Sequence, residues 1–210
     1  MNRTITVTGT ASAGAVPDLV TLTLGVETRR DTAARAYDDA GRAAGAVASS
    51  LRAAGIQDVD LRTSGLNLRA EFVWVEGQGQ KVTAYVATTN LHVGIRSHAD
   101  APATIAAAVA AGGDDIRING LEQGFADTSA VTAQAQEAAW KDALRRADQY
   151  ASLASARLGR VVSISQQPVP GAPVPMGGMV RAYAAEALPV EPGETQMAAS
   201  ITVEWELLEP

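Results

Sequence analysis

The 210-residue chain has no cysteine, which excludes disulfides, thiolate metal sites and cysteine nucleophiles together. Aromatic residues make up only 4%. The core must therefore be built from aliphatic side chains and from alanine, roughly a fifth of the chain, in closely packed helices. Lysine occurs only at Lys81 and Lys141; the remaining basic residues are arginines scattered along a chain of formal net charge −6. Without a basic stripe, a nucleic-acid or anionic-membrane partner is not expected. No window approaches the roughly 20 apolar residues of a transmembrane segment. With 47% apolar and 19% charged residues, the composition is that of a globular chain long enough to bury a core.

The chain opens Met1-Asn2-Arg3-Thr4 and runs straight into alternating residues. The basic start, apolar stretch and small-residue cleavage site of a secretory signal are missing. Two expectations stand: a cytoplasmic chain, or an exported one whose signal has been removed and replaced by a methionine.

Period-2 alternation marks strands at Ile5 and Val7, at Val20, Leu22, Leu24 and Val26, and at Leu66, Leu68, Ala70, Phe72 and Trp74. Gly9 to Pro17 reads as a small-residue connection, and EGQGQ at 76–80 as a hairpin connection. The return strand, Lys81 to about Arg96, changes phase between Val82, Ala84, Val86 and Leu91, Val93, Ile95. A bulge near Thr88 to Asn90, or burial on both faces, would reconcile the two. Asp31 is expected to cap a helix to about Ala54, closed by Gly55, with Tyr37, Ala40, Ala44, Val47, Leu51 and Ala54 on one face. Asp100 is expected to cap a second helix, with Ile105, Ala108 and Val109 inward. A strand from Ile116 to Phe125, interrupted at Asn119-Gly120, follows. The longest helix is predicted from Ser129 to Leu158, with inward Trp140, Leu144, Ala147, Ala151, Ala154 and Leu158 and a stop at Gly159. Val162 and Ile164 mark the next strand, and Ile201, Val203, Trp205 and Leu207 the last.

The order from about residue 17 to 125 is strand, helix, strand, strand, helix, strand, the split β-α-β pattern. The fold class read from this is α+β: a mixed or antiparallel sheet with helices packed on one face, plus a long third helix and a C-terminal strand. Residues 1–210 are expected to form one domain. A Pro- and Gly-rich insert at about 167–195 reads as a flexible arm able to reach a neighbouring subunit.

Reactive constellations are thin. Ser97, His98 and Asp100 lie in one turn, where triad geometry is rare and capping is the simpler account. His92 sits mid-strand on the phase opposite Leu91 and Val93, so it faces solvent or an interface. Asp38-Asp39 and Asp114-Asp115 read as solvated pairs, the latter lacking the alternating ligands of a calcium loop. The glycines at 9–14 and 77–79 fit no phosphate loop. Met176 and Met179 offer two thioethers for Cu(I) or for oxidant scavenging, with a mobile arm as the plainer reading. Trp74, Trp140 and Trp205 read as core residues, Trp205 also as an interface anchor. No catalytic, cofactor-binding or metal-binding residue is assigned.

The ordered segments ITVTGTASAGAVPDLVTLTLGVET, LRAAGIQDVDLRTSGLNL, AYVATTNLHVGIR, INGLEQGFAD, DALRRADQYASLASARLGRVVSIS and VEPGETQMAASITVEWEL resemble the SIMPL-domain (DUF541) family over nearly the whole chain. That group includes bacterial periplasmic immunogenic proteins and a predicted oxidative-stress defence protein. The resemblance implies an extracytoplasmic protein not known as an enzyme, with ring-like or channel-like oligomers in some members, and it carries over no catalytic residue. The expected function is a non-enzymatic, self-assembling envelope or secreted protein linked to stress tolerance, its partner a second copy of itself. A small-ligand or metal-binding module is the alternative, and a hydrolase using Ser97, His98 and Asp100 a third reading.

Overall fold

The computed structural model of the protein describes residues 3–166, 174–176 and 190–209. In chain order the elements are β1 (Thr4–Ala15), β2 (Leu19–Arg30), α1 (Ala33–Ala53), β3 (Leu61–Val75), β4 (Gly79–Ile95), α2 (Ala101–Gly112), β5 (Ile116–Gly124), α3 (Ser129–Leu153), β6 (Arg157–Gln166), β7 (Val174–Met176) and β8 (Glu194–Leu208). The described residues form two compact units, one of residues 18–124 and 190–192, the other of residues 3–17, 125–166, 174–176 and 193–209. The fold is α+β as expected, and the sheets prove antiparallel throughout.

In the first unit the strand order is β3-β4-β2-β5. β4 lies between β2 and β3, and β2 between β4 and β5, so two split β-α-β units interlock. Val20, Leu22 and Leu24 of β2 are fully buried and stand in register with Ile95, Val93 and Leu91 of β4. Val47 and Leu51 of α1 and Ala101, Ile105 and Ala108 of α2 complete this layer. The first helix starts later than predicted: Thr32, not Asp31, is its cap and accepts from the Arg35 amide, while Asp31 pairs with the Arg35 side chain. Buried Thr28 donates to the Ala36 carbonyl (2.6 Å), tying the end of β2 to the first turn of α1.

Two expected inward positions differ. Tyr37 is exposed while Ala36 is buried, and Val109 of α2 turns partly outward. On β4 the phase change is met by burial on both faces. Ala87, Leu91, Val93 and Ile95 face the helices, whereas Ala84 and Val86 lie on the reverse face. There an ion pair between Arg29 (opposite Val86) and Glu71 (opposite Ala84) reaches across the strand. The bulge near residue 90 falls on the partner strand: Gly65, at φ +66°, is the extra residue between Ser64 (opposite Asn90) and Leu66 (opposite Thr89).

In the second unit β8 is central, with β1 on one side and β6 and β7 along the other. β1 does not stop at Gly9; it pairs with β8 without interruption from Thr4 (opposite Glu206) to Ala15 (opposite Thr195). Helix α3 ends at Leu153, short of the predicted Leu158, and Ser155 at φ 50° turns the chain into β6. Its buried row shares Ala147 and Ala151 with the predicted one, and Trp140 and Leu158 pack against it, but Leu144 and Ala154 turn outward. Val131, Ala135, Ala139, Ala143, Ala147 and Ala151 recur every fourth residue, while Leu144 is partly exposed. Small side chains in that row let the helix approach β1 closely, with Val7, Ile201, Val203 and Trp205 filling the layer beneath. Trp140 packs against Trp205 at 6.0 Å between ring centroids. Most of the 167–195 insert lies outside the described residues; Val174 to Met176 within it pair with Gln196 to Glu194.

A methyl group at Gly9 would overlap the Ala139 carbonyl oxygen and Ala143 amide nitrogen and lie 2.7 Å from the Ala143 Cβ. Gly9→Ala should therefore destabilise the protein by about 1–3 kcal/mol through overpacking. Gly41→Ala, in the interior of α1 with nothing near its Cβ position, should stabilise it by about 0.5–1 kcal/mol. Urea denaturation midpoints of the two variants should move in opposite directions.

Candidate functional site

The polar groups singled out in the sequence are each held by local structure. In the turn before α2, the Asp100 amide donates to the Ser97 carbonyl and the Ala101 amide to the His98 carbonyl. Asp100 occupies the cap position of α2 as expected, but its side chain makes no capping hydrogen bond. No hydrogen bond joins the side chains of Ser97, His98 and Asp100 among the described residues, and the His98 Nε2 is buried without a partner. The turn holds no nucleophile–base pair. His92 is half-buried on the face of the sheet away from the helices, with its Nδ1 3.2 Å from the Thr23 hydroxyl on the neighbouring strand.

The two acidic pairs are less solvated than the sequence suggests. Arg30, at the end of β2, donates from Nε to Asp39 on α1 and lies 3.4 Å from Asp115 in the turn before β5. One residue of each pair is therefore held by the same guanidinium, which disfavours a cation there. No group of three or more His, Cys, Asp or Glu fit to hold a metal occurs among the described residues. The Met176 side chain and Met179 lie outside the described residues, and so does the thioether pair proposed on them.

The tryptophans divide. Trp205 is 2% exposed and central to its core, but Trp74 is 73% exposed. Its neighbours on β3 behave alike: Leu66 is 61%, Phe72 57% and Leu68 45% exposed. Register with Thr89, Ala87 and Tyr85 of β4 places Leu66, Leu68 and Ala70 on the side of the sheet that carries the helices. Helix α1 packs mainly over β2 and β4, through Ala36 and Ala40 against Val26 and Ala87, and although Leu61 at the start of β3 packs against the core, the row from Leu66 to Trp74 stays exposed. Across the hairpin the return strand begins Gln80-Lys81-Val82-Thr83, and these residues are also exposed. The predicted alternation is real, and the expected burial is not. β3 pairs only with β4 among the described residues. It thus presents both an apolar row and a line of backbone donors and acceptors.

Beside this surface the chain shows an ordered core and no clustered chemistry among its described residues. A family model described as SIMPL, a protein of unknown function (DUF541), matches residues 5–205. The chain belongs to the SIMPL family. This SIMPL chain is 31% identical over 216 residues to the 26 kDa periplasmic immunogenic protein of Brucella melitensis, across 97% of this chain and 84% of that protein. The Brucella abortus protein of the same name is 30% identical over the same shares. The uncharacterized protein YggE of Escherichia coli K12 is 29% identical over 197 residues, across 94% of this chain and 78% of YggE. Neither the family description nor these names give an enzymatic function. No described helix of the SIMPL chain is long and apolar enough to cross a membrane.

Electrostatics in the SIMPL chain serve the scaffold. Arg96 grips Asp60 with two bonds of 2.8 and 2.7 Å. These hold the Asp60 carboxyl below the usual carboxylate range. Arg30, then Arg42, lower Asp39 in the same way. Since the folded-state pKa lies below the unfolded one, the unfolded chain binds more protons between the two values. This stabilisation is complete above the ordinary carboxylate pKa and is lost as pH falls through the lowered one. Asp60→Asn should have a lower urea midpoint at neutral pH and a flatter decline of that midpoint on acidification.

Proposed function

We propose that this SIMPL chain is a non-enzymatic, extracytoplasmic protein of the cell envelope or its surroundings that works as an assembly of its own copies. The observation that supports this most directly is the uncovered row Leu66, Leu68, Phe72 and Trp74 on an edge strand. A large aromatic row on a monomer's surface is costly in water, and such patches mark interaction sites. The row also lies beside unpaired backbone groups, and strand edges pair readily with another chain. The relatives named as periplasmic support an address outside the cytoplasm. A chain without cysteine keeps its fold whatever the redox state of that compartment. The link to stress tolerance rests on the family resemblance, and peroxide survival of a deletion strain with and without the restored gene tests it.

Native mass spectrometry and light scattering at roughly tens of micromolar should find a defined multimer, since association follows mass action. Leu68→Ser combined with Trp74→Ser should shift it toward monomer while leaving the circular dichroism spectrum nearly unchanged, because neither side chain is part of the core of one copy. A strict monomer for the unmodified protein would overturn the proposal.

A further inference from the structure

Among the described residues of the first unit, β3 pairs only with β4, and β5 only with β2, with Gln123 at the end of β5 donating to the Glu191 carbonyl. The edges are complementary. On the helix side β3 carries Leu66, Leu68, Phe72 and Trp74. On that same side β5 carries exposed Ile118 and Leu121, placed there by register with Leu24 and Leu22. On the reverse side β3 carries Arg62 and Arg69, opposite His92 and Val86. β5 carries Glu122 there, opposite Thr21. None of these three charges has an ion-pair partner among the described residues, although most of the other arginines do.

Strand direction agrees with this complementarity. β3 runs antiparallel to β4, β4 to β2, and β2 to β5, so β3 and β5 point in opposite directions. If the sheet of one copy continues into the next with the helices kept on one side, β3 therefore meets β5 antiparallel, the pairing used in every ladder among the described residues. We infer that β3 of one copy pairs with β5 of the next, head to tail, and that this joint builds the assembly. The inference rests on the self-assembly proposed above and names its interface. Apolar side chains then meet on the helix side, and Arg62 or Arg69 meets Glu122 on the other. Pairing two β3 strands would bury the same apolar row but set one arginine-bearing edge against another and leave β5 open.

The absence of cysteine makes the test clean. Leu68→Cys and Leu121→Cys place single thiols on the two edges, to be joined by a short bis-maleimide linker. The double variant should give a ladder of covalent multimers on a denaturing gel. The two single variants mixed should stop at dimers, and either alone should stay monomeric. Dimers from Leu68→Cys alone would show β3-to-β3 pairing and overturn the inference. An assembly seen by native mass spectrometry without β3-to-β5 cross-links would overturn the inference and leave self-assembly standing. A monomer by native mass spectrometry would overturn both.

Discussion

Helices that carry alanine where others carry leucine must lie close on their sheets, and this constraint organises both units of the chain. In α3 the buried row is alanine at five successive positions four residues apart. Such a row gains little from its own hydrophobic area, so its contribution comes from contact, and contact requires a nearly flat surface below. β1 supplies that surface with Val7, Gly9, Ala11 and Ala13 on alternate positions. Gly9 lies where the helix backbone comes nearest. The same economy appears in α1, where Ala36 and Ala40 lie over Val26 and Ala87.

Close packing of this kind has a narrow footprint. A helix seated on two strands by small side chains does not spread over a third, so the outer strand of a four-stranded sheet needs another cover. The two units meet this need differently. On β1 the outer edge is partly closed by α3 itself. Asp142 accepts the Thr10 amide at 3.2 Å, and that bond is the first cause of its lowered pKa. Arg146 reaches toward the Thr8 carbonyl. On β3 the stretch from Leu66 to Trp74 stays exposed, and the side chains there are larger and more apolar than those on β1.

Much of the fold is legible in the residues. The alternation of Val20 to Val26 and of Ile201 to Trp205 identifies strands whose inward faces are as read. The strand–helix–strand–strand–helix–strand order implies the interlocked sheet. What fails has physical reasons. In α3, the 3–4 spacing places Leu144 and Ala154 on the inward stripe, but the short distance between helix and sheet selects the alanine row and turns both outward. On β3, a period of two shows which residues share a face and says nothing of whether an element covers it. The clue was across the hairpin, where Gln80, Lys81 and Thr83 leave the outer end with little to pack against. Arg30 between Asp39 and Asp115 could not be read either, since the partners lie 9 and 85 positions away and only the folded chain sets them together.

A β-strand edge in a stable protein is usually blunted by charge, proline, bulges or a covering element. β3 has charges, but register turns Arg62 and Arg69 to the reverse face, so they leave the helix-side row unscreened. It also has a bulge, and so does β5, where Asn119 is the extra residue between Ile118 and Gly120. Twist alone rotates each strand by roughly 20–25° on its neighbour, so a sheet continued through successive copies would wind into an open filament. Bulges bend strands as well as twisting them, and bending decides whether a head-to-tail contact returns to its start or grows without limit. Both edge strands carry a bulge, so in the proposed joint Gly65 and Asn119 would shape the contact and its closure together.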